Sequence, residues 1–303
     1  MSASPAIFDR NLLRVRQRRA RALGPATFLI DRVADELGER LSVVLRRFDR
    51  AVDLGTPTDA VRQVLAASGK VGSIVAVEPA AAQAGGLSLR VAADEEALPF
   101  ADGSLDLVVS ALALQFVNDL PGTLIQIRRA LKADGLLLAA LIGGDSLTEL
   151  REAFAAAESE IEGGVSPRVA PFADVRELGA LLQRTGFALP VVDSDRLTVR
   201  YDSAFALMRD LRRMGATNIL SERRRTPLRR ATLQRMAEIY AQRFADADGR
   251  VRATFEIAWL SGWTPHASQQ KPLRPGSATQ RLADALGAKE ISAGEKTGGP
   301  RKA

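Results

Sequence analysis

Residues 27–45 (TFLIDRVADELGERLSVVL) carry Phe28, Val33, Leu37, Leu41 and Val44 at three- and four-residue spacing, which is one apolar stripe along an otherwise polar helix. The period then changes. RFDRAVDLG, ending at Gly55, reads as a strand, and TPTDAVRQVLAA places Pro and Asp where a helix starts. Short buried strands follow in VGSIVAVEP, closing at Pro79, in LSLRVA, reaching Ala92, and in SLDLVVS, ending near Ser110. Pro121–Leu131 is predicted helical, and GLLLAALIG, from Gly135 to Gly143, is an unbroken apolar run of the kind buried on both faces of a sheet. Strands alternating with helices at this spacing predict an α/β, doubly wound parallel sheet built from right-handed crossovers.

Beyond residue 145 the pattern predicts helices at Thr148–Glu160 and Ala173–Thr185, then an alternating strand in LPVVDSDRLTVRY, where Asp193 and Asp195 are expected at a turn. Residues 203–245 read as helical and Arg-dense. Val251–Trp263 alternates again as a last strand, with Trp259 and Trp263 on one face as core residues. The helical stretch is therefore an insertion between two strands, expected to lie as a lid over the strand carboxyl ends. The organisation expected is a basic segment 1–26, one domain over 27–290 and a disordered tail over 291–303, whose SAGEKTGGPRKA lacks core residues.

The chain has no Cys and a single His, which excludes disulfides, zinc fingers, iron–sulfur ligation, Cys nucleophiles and a two-His-one-carboxylate iron site, so no metal site is assigned. Net charge is +6, a moderate basic excess. Its runs, RVRQRRAR near the N-terminus and ERRRTPLRR at Glu222–Arg230, have no interleaved aromatics. They are read as solvated faces or a surface for an acidic protein partner rather than for nucleic acid. No apolar run approaches the roughly 20 residues that span a bilayer. The Arg-rich start lacks the apolar centre of a signal peptide and is read as a first helix, so a cytoplasmic location is expected.

In an open α/β sheet, ligands meet the carboxyl ends of the strands. Asp53 and Gly55 stand at the end of the first strand, Glu78 closes the second, Asp94 and Glu95 follow the third and Ser110 closes the fourth; all are expected to face one crevice. A carboxylate at Glu78 suits a ribose diol, because it accepts two hydrogen bonds. Asp94 suits an adenine amino group, and Leu98 would cover the ring. The glycine pattern of a dinucleotide cradle is absent, the turn reading GTPTDA. His266, just past the last strand, is the one imidazole and a candidate catalytic group, expected near the lid.

The series DLG, VEP, DEEALPF, SLDLVVSALALQFVNDLP and RRALKADGLLLAALIGG resembles the motif order of class I S-adenosylmethionine-dependent methyltransferases over roughly residues 28–145. The remaining segments, above all ATFEIAWLSGWTPHASQQKPLRPGSA, resemble bacterial relatives of a mitochondrial complex I assembly factor with arginine hydroxylase activity. A more distant likeness is to the malonyl-carrier-protein methyltransferases of biotin synthesis. The resemblance implies a seven-stranded Rossmann-like methyltransferase sheet with a helical insertion before the last strand. It also implies S-adenosyl-L-methionine as cofactor, with Asp53 and Gly55 on its methionine side, Glu78 on ribose and Asp94 on adenine. The substrate implied is a protein, with an iron–sulfur subunit of complex I as the leading partner. One departure stands out: the family turn is DxGxGxG, whereas DLGTPTD keeps only the first glycine, and Thr56 and Pro57 carry side chains where backbone passes close to a ligand.

Overall fold

The computed structural model describes residues 6–79, 89–270, 284 and 286–288, and divides into two units, Met1–His266 and Ala267–Ala303. The tail expected to be disordered lies outside the described residues. In the first unit the chain runs α1 (Arg10–Ala22), α2 (Phe28–Ser42), β1 (Phe48–Leu54), α3 (Ala60–Ala67), β2 (Val71–Glu78), β3 (Leu89–Ala92) and β4 (Leu105–Ala111). It continues through a 3-10 turn at Leu114–Phe116 to α4 (Leu120–Ala130), β5 (Leu131–Ile142), α5 (Thr148–Glu162), α6 (Val175–Arg184) and β6 (Ala188–Tyr201). The last elements are α7 (Ala204–Arg213), α8 (Arg230–Phe244) and β7 (Val251–Trp263).

The strands form one seven-stranded sheet in the order β3-β2-β1-β4-β5-β7-β6. The first five are parallel, and β7 is antiparallel to both its neighbours. The apolar run of β5 shows why the sheet needs two helical layers. Leu136, Leu138 and Ala140 enter the core shared with α2, α5, α7 and α8, while Leu137, Ala139 and Leu141 enter the core shared with α4 and α6. This is the doubly wound α/β architecture that the alternation predicts.

Two details place the insertion. Pairing of β5 with β7 ends at Ile142↔Ile257, whereas β6 and β7 stay paired to Tyr201↔Val251, so these two strands project past the carboxyl end of β5. They carry residues 203–245 to that edge. The stretch is not one helical run: α7 ends where Gly215 takes φ +72°, a left-handed stop, and α8 begins only after Pro227. Nor does all of it cover the strand ends, because Met236, Ile239 and Tyr240 of α8 join Leu150, Phe154 and Ala157 of α5 in the core.

Asp193 and Asp195 do not mark a turn. They lie within β6, whose carboxylates there meet α2, Arg40 at 3.0 Å from Asp193 and Arg32 at 3.3 Å from Asp195. Trp259 is buried with the Arg40 guanidinium 4.7 Å over its ring, and Trp263 packs against the same core.

Candidate active site

Asp53, Gly55 and Glu78 come together at the carboxyl ends of β1 and β2, which pair in register from Phe48↔Val71 to Leu54↔Val77. Gly55 adopts φ +72°, and a Cβ there would stand 2.7 Å from Glu95 Oε1 and 3.0 Å from Ala113 Cβ, so only glycine fits. Asp53 is wholly buried and Glu78 is 5% exposed. Both meet Arg62 of α3, at 2.6 Å for Asp53 Oδ2 and 3.5 Å for Glu78 Oε1. Arg90 of β3 adds a contact of 3.2 Å to the same Glu78 oxygen, and Asp59 pairs with Arg62 from outside. Two buried carboxylates are thus tolerated because two guanidiniums neutralise them. Burial still pushes Asp53 up to about 6, Glu78 adding to the push while Thr56 and Arg62 pull the other way. Thr56 itself is buried, its hydroxyl oxygen accepting the Ala111 N–H at 3.3 Å, which ties the β1 turn to β4.

Asp94 and Glu95 lie in the turn after β3, and the partner they find is α1. Arg10 is 2.9 Å from Asp94 and 3.3 Å from Glu96, and also pairs with Glu95; Arg14 pairs with Asp94. Burial raises the Glu95 carboxyl, against the pull of Arg10. Leu98 is half-buried beside the α4 layer, its N–H donating to Gln126 Oε1 at 3.0 Å.

Two expected residues stand apart. Ser110 is fully buried and its hydroxyl donates to Leu54 O at 2.8 Å, tying β4 to β1 rather than facing the crevice. His266 follows β7, whose Trp263 end pairs with Leu136 at the opposite edge of the sheet, where Thr264 exchanges hydrogen bonds with Gly135 and Asp134. The reason is direction: β7 runs antiparallel, so its end points away from the carboxyl ends of β1 to β5.

A cavity of about 300 Å³ opens beside the acidic row. Pro57 and Thr58 after β1, Leu112 after β4 and Ile142 of β5 form its floor, and α1, α7 and the segment 214–219 close over it. Leu112 at φ 52° and Leu147 at φ 56° both line it, left-handed conformations that cost a bulky side chain about 1–3 kcal/mol each. Gln115 also lines it; its Nε2 donates to Leu112 O at 2.8 Å, which leaves a buried Oε1 that accepts nothing among the described residues. None of the cavity's described lining residues is acidic, whereas Arg21, Arg168, Arg212 and Arg213 all contribute. The sequence signalled neither Gln115 nor the guanidinium partners of the acidic row, since those pairings join residues as many as 86 positions apart.

The methyltransferase domain model matches residues 52–139. Arginine-hydroxylase NDUFAF5, mitochondrial, of Rattus norvegicus is 39% identical over 92% of this chain and 83% of its own length. The human protein of that name is 40% identical over 90% and 81%. Malonyl-[acyl-carrier protein] O-methyltransferase of Laribacter hongkongensis is 41% identical over 61% of this chain and 60% of its own. Among solved structures, a Bacillus halodurans protein provisionally assigned as a methyltransferase superposes with TM-score 0.52 at 17% identity, over 77% of this chain and 99% of that one, a likeness of fold. No helix among the described residues is long and apolar enough to cross a membrane.

Proposed function

Because the chain belongs to the family of the NDUFAF5 arginine-hydroxylases, on the methyltransferase fold, we propose that it modifies an arginine side chain of a protein partner, with S-adenosylmethionine held at the carboxyl ends of β1 to β3. The observation that carries this reading is the adjacency of the acidic row to the cavity: Pro57 and Thr58, which continue from Gly55, are cavity floor. When bound, the cofactor supplies a methyl group on a sulfonium centre. The residues present fit it. Asp53 keeps a buried Oδ1 with no hydrogen bond among the described residues, and Glu78 closes β2 as a diol acceptor. Asp94 and Glu95 would bound the adenine side, beside Leu98. The partner that fits the family reading is an iron–sulfur subunit of complex I. The cytoplasmic location expected from the sequence belongs to this proposal too, although the relatives carry the word mitochondrial in their names.

Calorimetric titration with S-adenosylmethionine and its demethylated product tests the cofactor. Glu78→Ala is expected to weaken binding by about 1–3 kcal/mol, the cost of leaving ribose hydroxyls unpaired. An unchanged affinity would remove the ribose assignment. Mass spectrometry of the partner subunit, from cells with and without the protein, reads the reaction: a gain of about 16 Da is hydroxylation and about 14 Da methylation, and only methylation is a group transfer from the cofactor. A noncatalytic scaffold is the second reading, favoured by the turn in which Pro57 and Asp59 replace later glycines and Glu95 packs on Gly55. Normal assembly without a mass shift, in cells holding a folded Glu78→Ala protein whose titration detects no cofactor, would select it.

A further inference from the structure

An arginine entering the cavity meets a wall with the wrong charge. The interior is apolar, with Leu29, Leu150, Phe154 and Met208 suited to the aliphatic part of the side chain. For the guanidinium it offers the Gln115 Oε1, a buried neutral acceptor. It offers no carboxylate among the described lining residues, and a guanidinium removed from water without a counter-charge is costly. At the same time two of the four lining arginines have no counter-charge among the described residues. Arg168 is paired with Glu158, and Arg213 donates to Gly24 O at 2.7 Å. Arg21 and Arg212, both exposed, have no side-chain hydrogen bond or ion pair among the described residues.

Resting on the arginine reading above, we infer that the counter-charge travels with the substrate: the enzyme recognises an arginine flanked by Asp or Glu, whose carboxylates dock on Arg21 and Arg212 while Gln115 accepts a guanidinium N–H. With two such acids the substrate segment and the two mouth arginines together carry one positive charge, against three for an arginine that brings no acid. The substrate's acids satisfy both its own arginine and the unpaired mouth, whereas a free arginine or a basic segment finds only repulsion. The arrangement selects a particular class of peptide segment.

Fluorescence anisotropy with labelled peptides tests this on the full chain. One peptide has a central arginine flanked by aspartates, one the same arginine flanked by alanines, and one keeps the aspartates around a central norleucine. The acidic arginine peptide is expected to bind about tenfold or more tightly than the alanine-flanked one, with the advantage shrinking as salt rises. The exposed double variant Arg21→Glu/Arg212→Glu should abolish that advantage and transfer it to a lysine-flanked arginine peptide, an inversion that a merely structural role would not produce. Gln115→Leu should remove the gain of arginine over norleucine and leave the aspartate dependence intact. Equal binding of aspartate- and alanine-flanked arginine peptides overturns the inference while leaving arginine modification standing. Equal binding of the arginine and norleucine acidic peptides overturns arginine as the target while the anionic recognition stands. Retention of the aspartate preference in the charge-reversed variant overturns the assignment to Arg21 and Arg212.

Discussion

Asp53 sits where two demands meet. As a ligand acceptor it must be ionised, yet it is wholly buried and pushed up to about 6 in spite of Arg62 at 2.6 Å. Its folded-state value lies above the ordinary 3.8, so the folded protein holds this proton more tightly than the unfolded chain does. The stability that this group contributes is complete below the unfolded value and is lost as pH rises through about 6, a change of roughly 3 kcal/mol for a shift of about two units. Asp53→Asn keeps the shape and does not titrate. Urea unfolding of both proteins at about pH 4.5 and pH 7.5 should therefore show the variant gaining on the parent by roughly 2 kcal/mol as pH rises, part of the change already lying below pH 4.5. A gap that stays constant would mean that Arg62 holds Asp53 ionised throughout. Cofactor affinity should run the other way, strengthening from pH 5 to 7 (about one unit either side of 6) in the parent as Oδ1 becomes a charged acceptor.

At the scale of the element, α1 is the part that the sequence described least completely. The pattern shows a basic, Arg-rich helix, but its basic run and the one at Glu222–Arg230, taken alone, predict faces for solvent or another protein. In the structure Arg10 and Arg14 turn onto the chain's own Asp94–Glu96, and Arg223 of the second basic run pairs with Asp9 at 3.1 Å. Phe8 and Leu13 add an apolar seam with Ile219 and Leu220. Arg10→Ala/Arg14→Ala should loosen this element selectively. Amide hydrogen exchange should speed up over Arg10–Ala22 and in the 94–97 turn, with the protection of β1, β4 and β5 unchanged. High salt should reproduce part of the effect in the parent, since Arg14 is 36% exposed and Asp94 30%. Uniform loss of protection across the sheet would instead make α1 part of the folding core. The other elements were legible because each follows a local period. The residual differences, Asp193 and Asp195 within β6 and the break after α7, arise where a charge is met by a distant helix or a glycine stops a turn.

Over the whole molecule, the strand-end acids could be read from chain order because a parallel sheet delivers every strand end to one side. His266 was misplaced because alternation in Val251–Trp263 states that a strand exists and not which way it runs. The cavity was illegible for a related reason: Gln17 of α1, Thr58 after β1, Leu112 after β4 and Met208 of α7 line it together from four distant stretches of chain. That assembly has a thermodynamic consequence. α1 binds the adenine-side turn through Arg10 and Arg14, lines the cavity through Gln17, Ala20 and Arg21, and holds the insertion through Arg16 to Asn218 O. One rigid element that touches both sites makes ordering for one ligand partly complete for the other. S-adenosylmethionine should therefore tighten binding of an acidic arginine peptide by about five- to tenfold, and the peptide should tighten the cofactor by the same factor, as linkage requires. Titrating each ligand in the presence and absence of the other measures both arms. Arg10→Ala/Arg14→Ala should bring the factor towards one with both individual sites still occupied at saturation, and coupling that survives this double substitution would have to be carried by the sheet itself.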